Sequence, residues 1–130
     1  MKNEMEIKEL TKAEEEVMQI LWKLRKGFVK DILEKFDEPK PAYSTVSTII
    51  RILCEKGFVN YKAYGRTYEY FPVISKDDYR KSRMSNFVKD YFSNSYQKMV
   101  SFFAREDSLT VKDMEEIMVM MKKAEKEEQK

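Results

Sequence analysis

The chain has no histidine, one cysteine, three glycines and three prolines in 130 residues. Each scarcity removes a class of function. Cys54 has no partner for an intrachain disulfide, and a lone thiol without imidazole forms neither a zinc finger nor a Cys/His nucleophile pair. It is read as a small, buried apolar side chain. The acidic pairs Asp77-Asp78 and Glu115-Glu116 are sequence neighbours. Adjacent residues on a helix do not face each other, so these pairs are poor metal ligands. No GxGxxG or P-loop pattern is present, and three glycines cannot build a phosphate-cradling loop. The chain is therefore expected not to be an enzyme and to need no cofactor and no metal. No apolar run approaches the roughly 20 residues of a membrane span, and MKNEMEIKEL lacks a signal-peptide core. A cytoplasmic protein without membrane insertion is expected.

The composition, 42% hydrophobic and 37% charged, suits a folded chain of one domain, or one domain with an appendage. The formal net charge is only +2, but it is unevenly spread. Residues 4–16 carry six Glu against two Lys, whereas residues 40–72 carry five Lys or Arg against two Glu. An anionic partner is drawn to the second region.

Thr11 and Glu14 have capping-box spacing, and Val17, Ile20, Leu21 and Leu24 then repeat at helical spacing, with Met18 and Trp22 beside them. Gly27 is expected to end this helix. VKDILEKF reads as a short helix with Val29, Ile32, Leu33 and Phe36 inward, and DEPKPAY as a loop. In YSTVSTIIRILCEKG the apolar face is Val46, Ile49, Ile50 and Leu53, and Gly57 stands at the left-handed cap position. The opposite face collects Ser44, Thr45, Ser47, Thr48 and Arg51, with Tyr43 at its start. Ser and Thr are mediocre helix formers, so their concentration calls for a reason.

After Gly57 the period changes. FVNYKAYGRTYEYFP is rich in Val, Tyr, Phe and Thr around Gly65-Arg66 and reads as a β-hairpin. Three helices followed by a hairpin is the element order of a winged helix-turn-helix. In that motif the second helix enters the DNA major groove. Short hydroxyls allow close approach, and arginine can grip guanine. Thr48 and Arg51 are accordingly expected to read bases. Lys62, Tyr64, Gly65 and Arg66 form the hairpin tip, which suits a DNA backbone or minor groove. Tyr61, Tyr68 and Tyr70 are read as core packing.

From Ser75 the pattern is helical again. SKDDYRKSRMSNFVKDYF, NSYQKMVSFFA and LTVKDMEEIMVMMKK read as three helices, the last capped by Thr110 and stapled by Leu109 on Met114. They have too little material for a core of their own. A homodimer interface is expected at Phe87, Tyr91, Met99, Phe102, Phe103, Met114, Ile117, Met118 and Met121, where methionine suits an irregular surface. The expected fold class is mostly α with a small β-hairpin. A winged helix-turn-helix occupies residues 1–74 and a helical dimerisation region residues 75–130.

LTKAEEEVMQILW, YSTVSTIIRILCEKGFV and AYGRTYEYFPVISKDDY together resemble the penicillinase-repressor family of winged-helix transcriptional repressors, the BlaI/MecI/CopY type. The resemblance spans about residues 8–123. It implies a cytoplasmic homodimer that sits on a double-stranded, inverted-repeat DNA operator and blocks transcription. Thr45 and Thr48 match the family's recognition-helix threonines, and Gly65 and Arg66 its wing tip. There are three departures. Many members carry arginine at the position of Ile52, where this chain has Arg51 one residue earlier. Members controlled by a membrane sensor-protease are cleaved between Asn and Phe, and the matching pair here is Phe102-Phe103, which argues against that partner. The copper-responsive branch has a cysteine-rich tail, which this chain lacks. The competing expectation is a winged helix used for protein–protein contact without sequence-specific DNA binding. RNA binding ranks third, because the aromatics form no RNP-type pattern.

Overall fold

The structure is a computed structural model and describes residues 7–106 and 108–128. The start of the acidic N-terminal stretch and the end of the charged tail lie outside the described residues. The elements run α1 (Lys12–Leu24), α2 (Val29–Glu34), α3 (Tyr43–Glu55), β1 (Val59–Tyr64), β2 (Thr67–Pro72), α4 (Lys76–Phe92), α5 (Tyr96–Arg105) and α6 (Val111–Glu128). The expected class, mostly helical with one antiparallel hairpin, is what forms. Contacts divide the chain into two units, with the boundary inside α4 between Arg83 and Met84.

In the first unit, Thr11 caps α1 through the expected box. The Glu14 amide donates to Thr11 Oγ1 at 3.2 Å, and the Thr11 amide donates to Glu14 Oε1 at 2.9 Å. The apolar stripes of three helices then meet. Val17 and Leu21 of α1, Ile32 of α2, and Val46, Ile50 and Leu53 of α3 are fully buried around Phe58. Leu33, Phe36 and Ile49 pack partly buried at the margin, and Phe36 lies past the end of α2. Tyr79, in the first turn of α4, completes this core. Its ring meets Phe58 edge-on at 5.5 Å, and its hydroxyl accepts from the Leu10 amide at 3.1 Å. Trp22 closes the rim by donating its indole N–H to the Ile74 carbonyl at 2.9 Å.

Two chain reversals place the hairpin. Gly57, at φ 85°, ends α3. Its amide donates to the Cys54 carbonyl at 3.1 Å and the Phe58 amide to the Leu53 carbonyl at 2.9 Å, the paired bonds of a Schellman motif. The next residue, Phe58, thus enters the core directly. At the other end of the hairpin, Gly65 at φ 63° opens a two-residue turn that leaves Tyr64 paired with Thr67. Glycine is favoured there because a side chain would be strained.

Gly27 does something other than end α1. The left-handed residue there is Arg25, at φ 74°, whose amide donates to the Leu21 carbonyl. Gly27 instead pairs with β2: its amide donates to the Tyr70 carbonyl at 2.9 Å and its carbonyl accepts from the Tyr70 amide at 2.8 Å. A single-residue bridge has no periodicity, so sequence patterning could not expose it. The tyrosines also divide. Tyr70 packs against the core, but Tyr61 and Tyr68 are exposed and stack on each other at 4.4 Å. On that face Tyr61 opposes Tyr70 and Tyr68 opposes Ala63, so Tyr68 is one step nearer the turn than Tyr70.

Glu14 is buried and ion-paired to Lys56 at 2.7 Å, which ties α1 to the end of α3. Burial acts to raise its pKa. The Lys56 hydrogen bond and charge, with the Thr11 backbone donor, outweigh burial and hold it below the ordinary 4.5. A depressed folded-state pKa stabilises the fold above the unfolded value and ceases to do so as pH falls through the folded value. Denaturant melts of the wild type and Glu14→Gln should therefore differ most above pH 4.5 and converge in more acidic buffer. A constant difference across that window would contradict this role.

In the second unit, Ser93 and Asn94, at φ 51° and 64°, turn the chain between α4 and α5. Ser95 caps α5 by accepting from the Lys98 amide, and Thr110 caps α6 in a reciprocal pair with Asp113. Val88 is fully buried, and Phe92 draws together Phe87 at 5.7 Å, Phe102 at 5.7 Å and Phe103 at 6.5 Å. The helices thus have a small aromatic centre. Most of their remaining apolar surface is uncovered.

Candidate nucleic-acid interface

At about 100° per residue, α3 presents three distinct sides away from the core. Ser44 and Thr48 stand opposite the buried stripe of Val46, Ile50 and Leu53, and both are exposed. Tyr43, Ser47 and Arg51, spaced by four, form the row nearest the hairpin. Thr45 and Ile49 form the row on the other flank, toward α1 and the α2–α3 loop. The helix therefore carries the expected polar residues outward in a fan that runs from Ser47 and Arg51 on the hairpin side through Ser44 and Thr48, with Thr45 on the other flank.

Between the hairpin-side row and β2 lies a cleft of about 530 Å³. Arg51 comes to it from α3, Arg66 from the turn and Lys30 from α2. Tyr43, Ser47, Thr67 and Tyr68 bring hydroxyls to the same walls. Three cations and no carboxylate line this space. Among the described residues the ion pairs are Glu14–Lys56, Asp77–Arg80 and Glu9–Arg83, so none of these three cations is neutralised by one. Burial raises the pKa of Tyr70 at the cleft floor, as do Cys54 and Tyr68, while the Arg51 charge opposes the rise. Cys54, half-buried beside it, is likewise held protonated, first by burial and then by Glu55.

Of the hairpin residues expected at the site, Gly65 and Arg66 form the tip. Tyr64 turns back, its ring 5.9 Å from Phe28, and the Lys62 ammonium sits 5.3 Å from the Tyr64 ring centre. These contacts, with the Gly27–Tyr70 bridge, hold the hairpin beside α3. Lys30 was not among the expected residues. It lies in VKDILEKF, where the apolar spacing gives the inward face but nothing distinguishes one outward lysine from another.

The expected dimer residues gather in the second unit. Phe87, Phe92, Phe102 and Phe103 share the aromatic centre, and Tyr91 stacks near Phe87 at 5.1 Å with 73% of its surface exposed. Met99 and Met114 are half-buried. Ile117, Met118 and Met121 are exposed, and so are Val119 and Met120, which the expected stripe omits. Five successive exposed apolar residues encircle α6, and a one-sided stripe underestimates that surface. Among the described residues no group of acidic, Cys or His side chains could hold a metal, and no helix is long and apolar enough to cross a membrane.

Comparison with known proteins agrees with this architecture. The methicillin resistance regulatory protein MecI of Staphylococcus aureus strain N315 is 25% identical over 116 residues, covering 88% of this chain and 94% of MecI. The penicillinase repressor of Bacillus licheniformis is 25% identical over 112 residues, covering 85% of this chain and 88% of that protein. The solution structure of the DNA-binding domain of the repressor BlaI matches with a TM-score of 0.50 and 28% identity, covering 56% of this chain and 90% of that domain. The penicillinase repressor family model matches residues 10–123, nine-tenths of the chain with its cleft and its C-terminal helices alike, and the chain belongs to that family.

Proposed function

We propose that this protein is a dimeric, sequence-specific DNA-binding transcriptional repressor that occupies an inverted-repeat operator. In this reading α3 enters the major groove, with Ser44 and Thr48 near base edges and Thr45 on the flank toward α1. The hairpin tip at Lys62, Gly65 and Arg66 follows the phosphate backbone. The observation that carries the proposal is the exposed hydroxyl face of α3 beside a cleft lined by three cations. The likeness to the BlaI DNA-binding domain supports it. The uncovered apolar surface of the second unit supports a second copy of the chain as its cover. A two-fold pair would present two reading helices to two half-sites. Phe102-Phe103 offers no Asn-Phe bond, so the proposal includes no sensor-protease.

Binding to a duplex should fall steeply with salt, with a slope of about −0.9 per phosphate neutralised. Arg66→Ala should weaken binding to all duplexes about equally. Thr48→Ala should change the preferred base at one position in each half-site, at roughly 1–3 kcal/mol. Titrations of both variants against a duplex panel at several salt concentrations separate the two effects. A uniform loss from both would remove α3 from the reading role.

A further inference from the structure

We infer that the cleft between α3 and the hairpin seats a phosphate of the DNA backbone, held by Lys30, Arg51 and Arg66, and that Arg51 grips this phosphate instead of reading a base. The inference rests on the DNA-binding reading above and assigns parts within it.

Direction is the first reason. Arg51 shares a helical row with Tyr43 and Ser47, and that row lines the cleft. Ser44 and Thr48 lie opposite the buried stripe, and Arg51, about 20° from Ser44, stands at the hairpin-side edge of that face. A helix seated on Ser44 and Thr48 keeps Arg51 at the edge of that face nearest the hairpin, where its long side chain can reach a strand passing the cleft. The influence of Arg51 on the Tyr70 phenol agrees with that orientation.

Charge is the second. The groove on the opposite flank of α3 has a similar volume, about 510 Å³, but Glu16 and Asp37 oppose Lys35 along it. A phosphodiester is repelled there and attracted between Lys30, Arg51 and Arg66. These three come from three different elements, α2, α3 and the turn, and converge without a carboxylate among them. Like charges brought together repel one another, so an arrangement of this kind is relieved by an anion.

Chemistry is the third. The hydroxyl of Ser47 shares the walls, whereas that of Thr67 donates to the Tyr64 carbonyl at 2.9 Å, and phosphate oxygens accept from hydroxyl, ammonium and guanidinium alike. A base edge presents a fixed donor and acceptor pattern that a lined cleft at the helix flank cannot follow. Lys30 thereby becomes a binding residue contributed by the first helix of the motif.

The test is binding selection from a random duplex pool with the full chain as wild type, Arg51→Ala, Arg51→Lys and Lys30→Ala, followed by salt titration. Arg51→Ala and Lys30→Ala should recover the wild-type motif. Each should bind all duplexes roughly tenfold more weakly and flatten the salt slope by about 0.9. Arg51→Lys should keep most of the affinity, because a point charge serves a phosphate but not a bidentate base contact. A methylphosphonate at one position per half-site should weaken the wild type more than it weakens Arg51→Ala, which keeps only Lys30 and Arg66 on that phosphate. A changed base preference in Arg51→Ala, with the salt slope intact, would overturn the assignment while leaving the repressor reading standing. A wild type that selects no motif and binds duplexes without salt dependence would overturn both.

Discussion

Phe58→Ala is expected to lower the unfolding free energy of the winged helix by about 3–5 kcal/mol. Phe58 is the largest fully buried side chain among the described residues. It enters the core immediately after the Schellman turn at Gly57, and its carbonyl accepts from the Val73 amide at 2.7 Å. Removing the ring strips Tyr79 of its edge-on partner and leaves a cavity between three helices and the hairpin. The backbone bonds that fix the position cannot move to fill it. Because small domains have a total stability of about 5–15 kcal/mol, the variant should unfold at much lower urea concentration. A loss under about 1 kcal/mol would mean that Phe58 is not the centre of this core.

Met118→Glu with Met121→Glu should abolish dimerisation and reduce operator affinity by about 10²–10⁴-fold, the usual loss when two linked binding events become one. Both methionines are exposed in the single chain, at 56% and 64%, so their replacement disturbs nothing within it. Glutamate is also a good helix former, so α6 should persist. In the proposed dimer the same positions are covered, and burying an unpaired carboxylate there is prohibitive. Sedimentation of the variant should give a monomer with unchanged helix content. Wild-type sedimentation of the doubly charged variant would place the interface elsewhere.

Much of this architecture could be read from residue order because it depends on local rules. The Thr11–Glu14 box, the three-to-four spacing in α1 and α3, the glycine at φ 85° after α3 and the Gly65 turn are each encoded within a few residues. Features set by distant partners could not be read that way. Gly27 pairs with Tyr70, 43 positions away, and has no neighbour that would announce a strand. Tyr61 and Tyr68 look like core residues by composition, but both are exposed and stack on each other, with Tyr68 on the wall of the cleft. The same holds at the candidate site. The polar face of α3 was legible as a face, whereas its division into a groove-facing side and a hairpin-facing row depends on where β2 lies. Lys30 joins Arg51 and Arg66 only through the fold. On α6, the expected interface residues Ile117, Met118 and Met121 give no sign that Val119 and Met120 are uncovered as well.

The most direct test of the account is selection of duplexes from a random pool by the wild-type chain at two salt concentrations, with the stoichiometry of the selected complex determined by sedimentation. The account predicts an inverted repeat bound by two chains, with affinity that falls steeply as salt rises. Recovery of no common motif, with weak and salt-independent binding, would contradict it and leave the winged helix as a protein-binding module.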